Sequence, residues 1–195
     1  LLRKGELDED PVDGIVGVPD ALLTALAQLS KSEKVIPAAI EFVDIAGLVK
    51  GAATGEGLGN QFLANIRETD AILHIVRFFD DPNVLHVETV VEPYKDIEII
   101  NMELILADAE QVRKRRDKLA RDIKTGDKDA VLEDVALAKL EQGFSEGKLA
   151  LHAELSPVEQ KRIAYLNLLT MKPMLYALNK KNGGKNLDEC DDGRA

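Results

Sequence analysis

"EFVDIAGLVKGAATGEGLGNQF", residues Glu41 to Phe62, is the stretch on which the fold turns. It begins inside a run from Ile36 to Ile45 that is nearly all apolar apart from Glu41 and Asp44, the pattern of a strand buried on both faces. A loop follows with five glycines, Gly47, Gly51, Gly55, Gly57 and Gly59. Asn60 to Glu68 then places Phe62, Leu63 and Ile66 on one side of a helix, and Ala71 to Phe79, "AILHIVRFF", is a second buried strand. Strand, glycine loop, helix, strand is a βαβ unit, which predicts an α/β fold with a parallel sheet.

Working outward, Gly14 to Val18 is a short β-like piece, and Asp20 is placed to cap a helix over Ala21–Leu29. On the other side, Asp80 to Asn83 is a turn. The character then changes. From about Asp96 to Thr125 the chain is charged and helical, with an intermittent stripe of Ile100, Leu104, Ala107, Val112, Leu119 and Ile123. Gly126-Asp127 breaks it, and a second amphipathic helix runs from about Lys128 to Phe144. Two such helices predict an antiparallel hairpin of coiled-coil type, without a sustained heptad. Ser156-Pro157-Val158-Glu159 is a capping box that opens a helix to about Leu169, and Met174 to Asn179 is a third strand. The expected division is residues 1–98 and 166–195 as two parts of one domain, with 99–165 as a helical insertion.

The 195 residues are 45% hydrophobic, enough for a core, and only 4% aromatic, so Leu, Ile, Val and Ala must build it. A formal charge of −10 excludes a nucleic-acid binder that uses its whole surface. The single Cys190 excludes an internal disulfide and is given no role. His74, His86 and His152 are scattered without metal-ligand spacing, and His74 and His86 read as satisfied core histidines. No apolar run reaches the length of a membrane span, and the first thirteen residues do not form a signal peptide. The expectation is a cytoplasmic protein with no membrane partner.

The chemistry concentrates at Asp44-Ile45-Ala46-Gly47. An Asp at the end of a strand can hold Mg²⁺, and a Gly three residues on lets the backbone approach a γ-phosphate. The same four residues also make an ordinary strand followed by a turn. The longer stretch from Glu41 to Arg77, "EFVDIAGLVKGAATGEGLGNQFLANIRETDAILHIVR", resembles the second switch of the Obg-like ATPases of the YchF type, within the Obg branch of translation-factor GTPases. The resemblance continues through Val84–Val87, Asn101–Leu104 and Leu166–Asn179, and spans most of the chain from Val16 to Asn179. It implies a Ras-like P-loop NTPase domain with a mostly parallel sheet, interrupted by an antiparallel coiled-coil hairpin and usually followed by a TGS domain. It further implies ATP as substrate in preference to GTP, Mg²⁺ as cofactor, and the ribosome or ribosomal RNA as partner. On this resemblance Asp44 is the metal residue, Gly47 senses the γ-phosphate, and Asn179 with Lys180 and Asn182 forms the base loop.

Three departures bear on function. No G-x-x-x-x-G-K-[ST] occurs anywhere; Gly14 to Asp20 only echoes the start of such a loop, since Ala21-Leu22-Leu23-Thr24 follows. The phosphate loop, the first switch and the TGS domain are therefore expected to be missing, and the chain alone to bind nucleotide weakly. Two readings stay open: an ATPase domain, or a catalytically inactive fragment or scaffold that binds the ribosome or another protein. The base loop reads Asn179-Lys180-Lys181-Asn182, and an amide at its last position rewards guanine less than a carboxylate does, so GTP should bind more weakly. Leu48 stands where many related enzymes orient water with Gln. Either backbone groups, a K⁺-like ion or a partner positions the nucleophile, with Gly51, Gly55, Gly57 and Gly59 as the switch loop, or Leu48 simply packs beneath it.

The first hairpin helix carries Arg113, Lys114, Arg115, Arg116, Lys118, Arg121 and Lys124. In an acidic chain this local reversal of sign is a candidate RNA or ribosome contact. The alternative is a solvated face balanced by Asp108, Glu110, Asp117 and Asp122.

Overall fold

The computed structural model describes residues 12–44, 58–81 and 91–183. In order these form β1 (Val12–Gly17), α1 (Ala21–Ser30), β2 (Ala39–Asp44), α2 (Leu58–Glu68), β3 (Ile72–Phe78), α3 (Pro93–Lys124), α4 (Lys128–Ser145), α5 (Pro157–Ile163) and β4 (Met174–Lys180). Short 3₁₀ turns occur at Ala150–His152, Ala164–Leu166 and Leu169–Met171. The chain divides into two units, Leu1–Gly47 and Leu48–Ala195.

In the first unit the Asp20 side chain accepts from the Leu22 amide at 2.9 Å and starts α1. Lys31 ends it in the left-handed conformation (φ 50°), and the Ser32 amide reaches back to the Ala27 carbonyl at 3.0 Å. β1 and β2 pair antiparallel from Val12↔Asp44 to Gly17↔Ala39. The Gly14–Gly17 residues that echo a phosphate loop are thus part of a ladder. The expectation of a buried strand over Ile36–Ile45 is corrected. The strand starts at Ala39, and only Val43 among its residues is even partly covered. One helix and a two-stranded ladder do not provide enough surface to cover a sheet face, so Ile15, Leu22, Leu26, Ile40 and Phe42 are exposed.

The second unit holds a parallel pairing between β3 and β4 in the register Ile72↔Met174 to Phe78↔Lys180. The βαβ reading of the sequence expects β3 beside β2, which among the described residues pairs with β1 instead. One face presents Leu73, Ile75 and Leu175 to solvent. Val76 is buried, and Tyr176 meets Asn101 of α3 through a 3.3 Å hydrogen bond.

The main core lies in the helices. Ile105, Val112 and Leu119 of α3 cluster with Ala136, Leu137, Leu140 and Phe144 of α4, and with Leu155, Ile163, Leu166 and Leu168 beyond them. α3 begins at Pro93, earlier than its charged stretch suggests, with Pro in its first turn. Thr125–Asp127 joins α3 to α4. Gly126 adopts φ +83°, and Asp127 caps α4 by accepting from Asp129 at 2.8 Å. The helical hairpin is therefore present, held by the apolar cluster and by cross-helix ion pairs.

The capping box of α5 forms as predicted: Glu159 accepts from the Ser156 amide at 2.7 Å, and Ser156 Oγ accepts from the Glu159 amide at 3.3 Å. The predicted continuation to Leu169 does not form. α5 stops at Ile163, and Asn167 turns the chain at φ 46°. Leu166, Leu168 and Leu169 are all buried as a result. A continuous helix would spread these three around its axis and leave at least one in water.

Candidate functional site

Asp44 is the last residue of β2, exposed, and opposite Val12 in the ladder. Gly47, Leu48, Gly51, Gly55 and Gly57 lie outside the described residues, as does His86. Gly59 is the second residue of α2. Asn179 and Lys180 close β4, and Asn182 follows in a turn completed by Gly183 at φ +77°. Asp44 belongs to the first unit and Asn179–Asn182 to the second.

Asn179 sits at the carboxyl edge of a parallel ladder, the edge at which open α/β sheets receive ligands. Its register partner is Arg77. Arg77 Nε donates to the Phe79 carbonyl at 3.0 Å, its terminal nitrogen donates to the Asp81 carbonyl at 3.2 Å, and its guanidinium lies 4.7 Å from the centre of the Phe79 ring. Arg77 thereby shapes the exit of β3 beside Asn179. In the sequence it is one residue of an apolar strand, and nothing there singles it out. His74 is half-buried, 5.7 Å from the Tyr176 ring, and burial lowers its pKa. Its Nδ1 has no hydrogen-bond partner, so the expectation of a satisfied histidine is not met. Among the described residues no group of three or more His, Cys, Asp or Glu is arranged to hold a metal, and no helix is long and apolar enough to cross a membrane.

The basic stretch of α3 separates into two sets. Arg115 grips Glu133 of α4 with both ends of its guanidinium, at 2.6 and 2.9 Å. Arg116 binds Asp134 at 2.8 Å and also pairs with Glu141. Glu133 also accepts from Tyr165. Burial pushes the Glu133 carboxyl up, but its bonds from Arg115 and Tyr165 outweigh that and hold it low. Tyr165 is pushed up to about 12 by burial and by Glu133. Lys114 pairs with Glu110 one turn away, at 2.7 Å. Among the described residues Arg113, Lys118, Arg121 and Lys124 have no ion-pair partner. At 100° per residue these four fall on an arc of about 140°, away from the side that holds Val112, Leu119 and Arg115 against α4. The expected balance by acids of the same helix holds for Lys114 with Glu110, whereas Arg115 and Arg116 are balanced by acids of α4.

A polar cluster that no sequence pattern announces lies at the end of α2. It consists of Arg67, Asp108, Asn167, Thr170 and Lys172. Asp108 is fully buried and accepts from the Leu169 amide at 3.0 Å, the Thr170 amide at 2.7 Å and the Thr170 hydroxyl at 2.8 Å. Its partners are sixty-one and sixty-two residues away, beyond the reach of any local signal.

Comparison with known proteins agrees with the geometry. Residues 23–132, more than half of the chain, match the family model described as 50S ribosome-binding GTPase. The chain is 51% identical over 170 residues to the ribosome-binding ATPase YchF of Bacillus subtilis, covering 87% of this chain and 46% of that protein. It is 45% identical over 175 residues to the protein of the same name from Escherichia coli O157:H7, covering 90% and 48%. The solved YchF GTPase of Schizosaccharomyces pombe superposes with a TM-score of 0.72 at 38% identity, over 89% of this chain and 48% of that one. The chain spans about half the length of the curated relatives it matches. The fold is that of a P-loop NTPase, α/β with helices and a parallel strand pair. On the extent of the family match and the identity with these relatives, the chain belongs to the 50S ribosome-binding GTPase family and, within it, to the YchF type.

Proposed function

We propose that this chain is the nucleotide-binding region of a ribosome-associated ATPase whose complete form hydrolyses ATP to ADP and phosphate. The observation that carries the reading is the placement of its two recognition segments at strand ends: Asp44 at the end of β2, and Asn179 at the carboxyl edge of the β3–β4 ladder. Residues 1–98 and 166–195 are its nucleotide-binding parts and 99–165 the helical insertion. The names of the relatives support ATP hydrolysis and ribosome binding.

The exposed carboxylate of Asp44 suits Mg²⁺, which takes one or two carboxylates and completes its shell with phosphate oxygens and water. Bound there, the ion would neutralise developing charge on the phosphates. Asp44 would orient it, Gly47 would approach the γ-phosphate, and the loop of Gly51, Gly55, Gly57 and Gly59 would respond to that phosphate. Leu48 cannot hold water, so a backbone group, K⁺ or a partner would place the nucleophile. Asn179 with Lys180 would meet the base, and Asn182 would favour ATP over GTP. The unpaired cations Arg113, Lys118, Arg121 and Lys124 would meet ribosomal RNA, while Arg115 and Arg116 fasten the hairpin. The cytoplasm, where ribosomes work, is the corresponding location.

A second reading is a scaffold without catalysis that binds the ribosome or another protein. Calorimetric titration with ATP and, separately, GTP in Mg²⁺ and K⁺ decides between them. ATP-selective binding supports the first reading. A folded chain that binds neither nucleotide supports the second.

A further inference from the structure

The last carbonyls of a helix have no donor within the helix and must find one elsewhere or face water. At the end of α2 that donor is a buried lysine from a distant loop. Lys172 Nζ donates to the Arg67 carbonyl at 3.0 Å, to the Thr69 carbonyl, and to Asn167 Oδ1 at 3.0 Å. All three ammonium protons are used. Asn167 Nδ2 donates to the Arg67 carbonyl as well. A cation at a helix C-terminus also meets the negative end of the helix dipole.

The contact is reciprocal. The Arg67 guanidinium donates to the Asn167 carbonyl at 3.2 Å and lies 3.6 Å from the Asp108 carboxylate. Asp108 belongs to α3 and holds the same loop through Leu169 and Thr170. One residue past Lys172, the Pro173 carbonyl accepts from the Ile72 amide at 2.9 Å and begins the β3–β4 ladder. α2, α3 and the root of β4 therefore meet at one polar node. Apolar side chains of similar volume can hold elements together at least as firmly as buried ions. What directed bonds add is one position and one orientation for the end of α2.

We propose that Lys172, backed by Asp108, is a positioning residue that fixes the C-terminal end of α2 against α3 and the root of β4, making that end the pivot about which the glycine-loop end of α2 moves. The anchoring of that end stands on the contacts; its action as a pivot and its link to hydrolysis rest on the function proposed above.

The test compares Lys172→Met, Lys172→Arg and Thr170→Val with wild type by amide hydrogen exchange on the full chain. In Lys172→Met, exchange over residues 64–70 is expected to rise about tenfold or more, as when a local closing interaction is removed. α4 stays within about twofold, as expected for a separate local opening. Lys172→Arg restores most of the protection, and Thr170→Val, which keeps the ammonium, gives an intermediate effect. Unchanged exchange over 64–70, or an equal rise in α4, overturns the proposal. A second readout uses the complete protein. A pivot predicts that Lys172→Met lowers kcat for ATP while KM stays within about twofold, because the substitution disturbs a transition-state alignment rather than binding. An unchanged kcat overturns the link to hydrolysis. If wild type neither binds nor hydrolyses ATP, the function proposed above fails, and the exchange comparison still decides whether Lys172 fixes the end of α2.

Discussion

Asp108 is an ionisable group placed where water does not reach. Burial raises its pKa, and three hydrogen bonds together with Arg67 oppose that rise. Thr170→Val removes one of those donors while keeping the shape of the side chain. The expected outcome is a loss of about 1–3 kcal/mol of stability in chemical denaturation and a further upward shift of the Asp108 titration, read by carboxyl carbon NMR. A raised carboxyl contributes stability that is complete below its unfolded value and is lost as pH rises through the folded one, so ionisation of Asp108 works against folding. In the sequence Asp108 is one of several acids beside a basic run, and nothing marks it out. The strand ends at Asp44 and Asn179 were legible because their neighbours form a recognisable local pattern. Asp108, Thr170 and Lys172 act across sixty residues or more, and only the folded chain brings them together. The division of Arg115 and Arg116 from Lys118 and Arg121 was hidden for the same reason.

The hairpin stands on its apolar seam. Leu137 is fully buried in α4, and Leu137→Ala should cost about 2–5 kcal/mol in thermal or urea unfolding. Lys118→Ala, on the outer arc, should stay within about 0.5 kcal/mol. The α5 capping box gives a prediction in pH. Lys139 and the Ser156 bonds lower Glu159 from 4.5 to about 2. A depressed carboxyl stabilises the fold above its unfolded value, so this contribution begins to fade near pH 4.5 and is gone as pH falls through about 2. Glu159→Gln should flatten the stability profile within that window, and Ser156→Ala should cost about 1 kcal/mol at neutral pH. The start of α5 was legible because four consecutive residues contain the whole capping box. Its end was not, since the turn at Asn167 answers to the burial of Leu166, Leu168 and Leu169 rather than to any breaker in the local sequence.

For the molecule as a whole, a charge of −10 means that any RNA contact must be local and sensitive to salt. Replacing Lys118, Arg121 and Lys124 together by Ala should weaken binding to a short RNA duplex at low salt. The slope of log affinity against log salt should fall by about 0.7–0.9 for each phosphate no longer neutralised. An unchanged slope by fluorescence anisotropy removes that surface from the function. Arg115→Ala with Arg116→Ala should instead lower the melting temperature of the helical signal, because those side chains hold α4. α3 is a single helix from Pro93 to Lys124, without Gly or Pro after its first residue, and so without the usual sites of bending. It meets Tyr176 of the sheet at Asn101 and the α2 node at Asp108, and shows its unpaired cations from Arg113 onward. From Asp108 to Arg121 is about 20 Å of unbroken helix. α3 is thus a single strut, one continuous rod that runs from the roots of α2 and β4 out to the exposed cations near its tip.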